Sequence, residues 1–202
     1  ELDSGRSTEN EYWDVALSAG HYVLGVANDD MHYPDRSNRI AVRCNFLAMD
    51  ALERDALYEA LRSGCFYAMR VPDYGRGDWA QKEERNAKLP YVKNIGLRDS
   101  DIYITLSERA DSIKFTGAHH RTLYCATQSA EATMTLPSDE PYARITAYFP
   151  SGEVIYSQPF ARYDSSAMSM KPSSHSKRLM RTASLTMARW PWAPARLIAL
   201  EQ

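Results

Sequence analysis

An α/β segment followed by an all-β unit is the fold class that the sequence predicts. Three observations predict it. Two capping boxes open helical stretches in the first third, a near-continuous apolar run lies between them, and beyond residue 100 the hydrophobic period changes to two. A chain of 202 residues with 44% hydrophobic and 25% charged residues is long enough to bury a real core.

The first helix is expected in "STENEYWDVALSAG", residues 7–20. Thr8 is placed as N-cap with Glu11 three residues on, Trp13, Ala16 and Leu17 recur at helical spacing, and Gly20 supplies the stop. Residues 22–27, "YVLGVA", then suit a strand covered on both faces, as in a parallel sheet. A second capping box, Asp50 with Glu53, precedes a stripe of Leu52, Ala56, Leu57, Ala60 and Leu61 that Gly64 ends. "CFYAMRV" reads as a short strand. One strand and two helices leave sheet edges open, so residues 1–70 are expected to need cover from the β unit, another chain or further barrel elements.

Pro, Gly and clustered charges in residues 72–94 mark a linker or long loop, placed at 71–100. Six short alternating segments follow between residues 101 and 160: "DIYITLSE", "DSIKFTG", "RTLYCATQ", "EATMTLP", "YARITAYFP" and "GEVIYSQPF". They predict a small antiparallel β-sandwich over 101–164. Residues 165–202 form a tail rich in Ser, Met and Arg, in which Leu179, Ala183, Met187 and Trp190 can line one face of a short basic helix. Such a helix would suit an anionic membrane or a partner. "RTASL", residues 181–185, fits a basophilic kinase site.

Charge and cysteines exclude some functions. The formal charge is −2, but from Ser165 onward six Lys or Arg face one acid, so an acidic body carries a basic tail. That distribution argues against a nucleic-acid-binding core. Cys44, Cys65 and Cys125 are widely spaced and odd in number, forming neither a zinc-type pair nor a disulfide framework; a reducing, cytoplasmic setting is expected. No apolar run is long enough to span a membrane as a helix.

The chemistry concentrates in "HYVLGVANDDMH", residues 21–32. In an extended strand Asn28, Asp30 and His32 share a face while Asp29 points the other way. An Asp-x-His pair at a strand end can offer one oxygen and one nitrogen to Zn²⁺, Mn²⁺ or Fe²⁺. The plainer alternative is a turn in which Asp29 or Asp30 caps backbone amides and His32 sits at the surface. Two ligands are also fewer than the three or four of a stable metal site. His119 and His120, in an expected β turn, could also bind a metal, but adjacent residues in a strand face opposite ways.

The segments "EYWDVALSAGHYVLGVANDDMH" and "LYEALRSGCFYAMR" resemble the late part of the PHP (polymerase and histidinol phosphatase) domain, a family of metal-dependent phosphoesterases. There a W-D-x-x-L-S-x-G helix leads into a strand ending G-x-x-x-D-x-H. "YARITAYFPSGEVIYSQPF" is similar to a small β domain carried by some members, with a Y-x-R strand and a G-E-x-x-Y-S-x-P hairpin. The resemblance implies the closing elements of a distorted β/α barrel before the sandwich, and Asp30 and His32 as the late metal ligands. It implies hydrolysis of a small phosphorylated substrate by a metal-activated water, with Arg36 and Arg39 reaching the phosphate. The family's H-x-H motif does not occur in these 202 residues. The expectation is therefore the late portion of such an enzyme, with little turnover by itself, pairing with a missing barrel half or self-associating. The alternative is a non-catalytic remnant that binds through its β domain.

Overall fold

The computed structural model describes residues 1–4, 9–30, 32, 42–72, 79–162, 184–188 and 196–200. Among these it is mostly antiparallel sheet, with three α-helices: α1 (Glu9–Ser18), α2 (Arg54–Ser63) and α3 (Trp79–Asn86). The strands are β1 (Arg43–Leu47), β2 (Phe66–Arg70), β3 (Val92–Arg98), β4 (Asp101–Thr116), β5 (Thr122–Thr135), β6 (Tyr142–Tyr148), β7 (Val154–Tyr156), β8 (Phe160–Ala161), β9 (Ser184–Ala188) and β10 (Arg196–Leu200). No helix among the described residues is long and apolar enough to cross a membrane.

The path β1-β2-β7-β6-β4-β3-β9-β10 is hydrogen-bonded throughout, with β5 beside β4 and β8 beside β6. β5 follows β4 along its length, and the other edge of β4 is taken first by β3 and then by β6. The long β4–β5 ribbon thus serves two groups of strands, and the main apolar core draws on both. It joins Ile102, Ile104 and Leu106 of the first half of β4 to Ile113 and Phe115 of the second, with Phe46, Met69, Ile145 and Ile155 from the β1-β2-β7-β6 group.

That second group buries both faces. Met69, Ile155 and Ala147 are cross-strand neighbours on the main core, whereas Ala68, Tyr156 and Thr146 form the adjacent row on the opposite face. Against this opposite face pack Leu2, Trp13, Leu17 and Ala27, making a second apolar cluster with Tyr142, Val154 and Tyr156. Every residue of β6 from Tyr142 to Ala147 is consequently buried. Within residues 1–4 and 9–30, Leu2, Trp13, Leu17 and Ala27 lay their side chains on this sheet.

Several expectations change. The six short segments become two long strands and a set of shorter ones, because "SER" and "QSA" are not turns. The register of β4 on β5 skips between Thr105 and Ala110, Gln128 takes φ 50°, and the Arg109 guanidinium donates to the Gln128 carbonyl at 2.7 and 3.0 Å. The polar residues mark a bulge inside one bent ribbon. The stretch expected as a linker contains α3, built from the helix formers "WAQKEERN", and β3. α2 begins at Arg54 with Glu53 as N-cap and no side-chain capping bond, so Asp50 opens no box, and Leu52 is exposed. Gly64 does end it, at φ 75° in the left-handed region. Residues 184–188 pair with β3 as a strand, not a helix; "SLTMA" carries its apolar residues two apart. The remainder of the proposed basic face, the kinase-type Arg181 and Thr8 lie outside the described residues.

Candidate functional site

Of residues 22–28 only Ala27 belongs to a bridge, a parallel one with Asp3. Their backbone is nonetheless paired on both edges. On one edge Leu2 N–H donates to Val26 O at 2.7 Å and Asn28 N–H to Asp3 O at 3.1 Å. On the other, side-chain amides take the place of a strand. The Gln158 amide accepts from Gly25 N–H and donates to Gly25 O, both at 2.8 Å. The Asn45 amide does the same at Ala27, accepting at 3.0 Å and donating at 2.7 Å. Buried backbone groups must find partners, and two primary amides can supply a matched donor and acceptor. Gly25 is required for closeness: a Cβ there would lie 2.4 Å from Leu2 Cδ2 and 2.7 Å from the Trp13 ring.

At the end of this segment the chain turns. The Asn28 side chain accepts from Asp30 N–H at 3.0 Å, and Asp30 adopts φ 47°. The extended geometry that would put Asn28, Asp30 and His32 on one face therefore ends at Asp29. Asp29 Oδ1 instead accepts from Val42 N–H at 3.0 Å and Arg43 N–H at 2.7 Å, the capping role of the plainer alternative. Asp30 and His32 still come together, by a different route. His32 Nδ1 is 3.0 Å from the Asp30 carbonyl oxygen and 3.8 Å from Asp30 Oδ1. Both side chains are solvent-accessible, His32 by 70% and Asp30 by 39%.

Among the described residues no group of three or more His, Cys, Asp or Glu is arranged to hold a metal. Arg36 and Arg39 lie outside the described residues, as does His175. His119 and His120 occupy a short 3-10 turn between β4 and β5, both at positive φ. They face α1: His119 N–H donates to Ser18 Oγ at 2.8 Å, and His120 Nδ1 meets the carboxylate of Asp14.

Asp14 is the centre of a cluster that no spacing argument identified. It is buried in α1, and Arg144 of β6 holds it with two hydrogen bonds, Nε to Oδ1 at 2.7 Å and Nη2 to Oδ2 at 2.6 Å. Tyr142 O–H donates to Oδ1 at 3.1 Å, and the guanidinium lies 5.1 Å from the centre of the Trp13 ring. Burial by itself pushes the Asp14 carboxyl up, but the hydrogen bonds and charge of Arg144, with His120 and Tyr142, hold it below its ordinary value. Burial pushes Tyr142 up to about 12. The Trp-Asp pair of the first resembling stretch and the Tyr-x-Arg of the last are thus bonded to each other.

A second buried carboxylate, Asp3, serves the other end of the same sheet face. Arg43 Nε donates to its Oδ1 at 2.6 Å, Tyr156 O–H to its Oδ2 at 3.1 Å, and Arg70 Nη1 lies 3.8 Å from Oδ2. Burial, then the Asp3 charge, raises the Tyr156 hydroxyl well above its ordinary value. A third, Glu140, accepts from Ala118 N–H at 2.9 Å and pairs with Arg121, fixing the histidine turn. All three arise from contacts between distant segments. No family model, curated protein or solved structure matches this chain.

Proposed function

We propose that the chain is the late portion of a metal-dependent phosphoesterase, with Asp30 and His32 supplying two ligands of its metal centre. The observation that carries this reading is the orientation of the His32 ring. A carbonyl oxygen can only accept, so a hydrogen bond at the 3.0 Å contact with Asp30 O requires the proton on Nδ1, and in that neutral tautomer Nε2 is the nitrogen available to a metal. A histidine held by Nδ1–H on a carbonyl is the usual arrangement behind an Nε2 metal ligand. The Asp30 carboxylate lies 3.8 Å from Nδ1, so sharing an ion with Nε2 requires this exposed side chain to turn; a mixed oxygen and nitrogen pair suits Zn²⁺, Mn²⁺ or Fe²⁺.

The pair can supply two of the three or four ligands of a stable site, and the others would have to come from outside the described residues. When bound, the metal would polarise phosphoryl oxygens and lower the pKa of a coordinated water. The chain's own residues hold and orient the pair: Asn28 sets the turn at Asp30, and Gln158 and Asn45 fix the segment leading to it. The finer fold reading, closing elements of a PHP-type barrel followed by a small sandwich, belongs to the same proposal. The parallel contact of Asp3 with Ala27 favours it, while β1 and β2 pair antiparallel with each other and β2 with β7 in a single sheet.

The test is Mn²⁺ titration of the chain followed by NMR, beside Asp30→Ala and His32→Ala variants. The expected result is paramagnetic broadening centred on residues 28–32 in the parent and lost in both variants. Absence of broadening there, or broadening that persists in the variants, overturns the assignment and leaves the β unit as the place to seek a binding function.

A further inference from the structure

Arg43 and Arg70 face each other directly across the β1–β2 pair, and both reach Asp3, so their guanidinium groups share one face of the sheet. Two like charges directly opposite repel, and such a pair needs a reason to persist. Asp3 supplies part of the compensation, but unequally. Arg43 bonds Asp3 Oδ1 at 2.6 Å and its side chain is mostly buried. Arg70 stands 3.8 Å from Oδ2, beyond hydrogen-bond length, with 42% of its side chain exposed. Among the described residues the Arg70 guanidinium makes no hydrogen bond, although Arg109, Arg144 and Arg162 each donate at least one.

The place of this pair matters as much as its charge. Arg43 is bonded at both ends of the residue: its side chain holds Asp3, and its backbone N–H donates to Asp29. Asp29 is the residue before Asp30. The two guanidinium groups therefore lie at the end of the sheet face where residues 22–28 run out into Asp30 and His32. The Asp14–Arg144 cluster occupies β6 residues toward the opposite end of that face. A five-donor planar fork, half-exposed and held only by a 3.8 Å ion pair to Asp3, beside a second guanidinium hydrogen-bonded to the same carboxylate, offers donors to an oxyanion.

We propose that Arg70, supported by Arg43, forms an oxyanion subsite that binds the phosphate group of a phosphomonoester substrate. This rests on the phosphoesterase reading, since it assigns to that reaction an anion-binding corner beside the Asp30–His32 pair. Arg70 is the specificity-determining residue and Asp3 is a positioning residue. Asp3 holds Arg43 by a hydrogen bond and Arg70 only by a longer ion pair, which leaves the Arg70 N–H groups to the ligand.

The experiment is titration of the EDTA-treated chain with inorganic phosphate and, separately, with phenyl phosphate, followed by NMR shifts of the Arg43 and Arg70 amides and guanidinium Nε–H groups. It is run on the parent, Arg70→Met and Arg70→Lys, with amide spectra confirming the fold of each. Loss of one charge-assisted fork weakens binding about tenfold or more in Arg70→Met, with Arg70→Lys between the two. Equal affinity of parent and Arg70→Met, or phosphate shifts located elsewhere, overturns the proposal. Because the metal is absent from this titration, the two readings fail separately. Arg70-dependent phosphate binding without Mn²⁺ binding at Asp30 and His32 would keep the anion site and remove the metal centre, and the reverse would remove the anion site alone. Binding of inorganic phosphate without phenyl phosphate would keep the oxyanion corner but overturn the phosphomonoester assignment.

Discussion

At Asp14 one carboxylate joins α1 to β6, to Tyr142 and to the histidine turn, with Arg144 almost fully buried beside it. Removing one partner of such a pair leaves the other charge uncompensated, a loss of about 3–5 kcal/mol, so Asp14→Ala should be strongly destabilised at neutral pH. The pH dependence carries a sign that can be checked. Asp14 titrates lower in the folded state than in the unfolded chain, so its contribution is fully present above the unfolded carboxylate value. It is lost as pH falls through the lower folded value. Urea midpoints measured between pH 7 and pH 2 should therefore show a gap between parent and Asp14→Asn that is widest near neutrality and narrows in acid. A gap that does not change with pH would mean the Asp14 charge does not matter to the cluster. The residues of this cluster were legible as parts of resembling motifs, but their bonding was not. Asp14 and Arg144 are 130 positions apart, and no local period records a contact of that separation.

For the elements, local signals succeeded where the determinant was local. Trp13 and Leu17 are buried at the helical spacing that predicts α1, and Gly64 caps α2 in the conformation that favours glycine. They failed where a distant segment decided the outcome. Polar residues at 107–109 and 128–130 look like turns, and only the pairing of β4 with β5 makes them a bulge. Residues 22–28 have the composition of a buried strand, but the partners on one edge are the side chains of Asn45 and Gln158. That clamp makes a specific claim about stability. Gln158→Ala would leave the N–H and C=O of Gly25 buried without partners, a cost of about 1–3 kcal/mol. Hydrogen exchange should quicken at the Gly25 amide by more than at Ile145, whose N–H is held by Ser157 Oγ at 2.8 Å on the sheet itself. A uniform increase at both would mean that the substitution weakens the whole fold without releasing this segment.

For the whole molecule, the sheet crosses the boundary at which composition and period change. β2, before that boundary, pairs with β7, after it, and Tyr67 and Met69 share a core with Ile104 and Ile113. Leu2, Trp13, Leu17 and Ala27 find their apolar partners on Tyr142, Val154 and Tyr156. Among the described residues of the first seventy, the β unit supplies cover, and a fragment decides whether they need it. Residues 1–72 alone would retain the antiparallel β1–β2 pair, α1 and α2, but would expose the faces that now meet β6 and β7. A two-stranded hairpin with uncovered apolar faces is marginal in water. The fragment 1–72 should therefore give a poorly dispersed amide spectrum, while the full chain unfolds with one transition by far-UV circular dichroism and by Trp13 fluorescence read in a variant lacking the other tryptophans. A well-dispersed spectrum from the fragment would show instead that its own contacts outweigh the exposed surface. The buried ties from Asp3 to Tyr156 and Asp14 to Arg144 would then act to set register between two stable parts, and their loss would shift the geometry of the Asp30–His32 end without unfolding it.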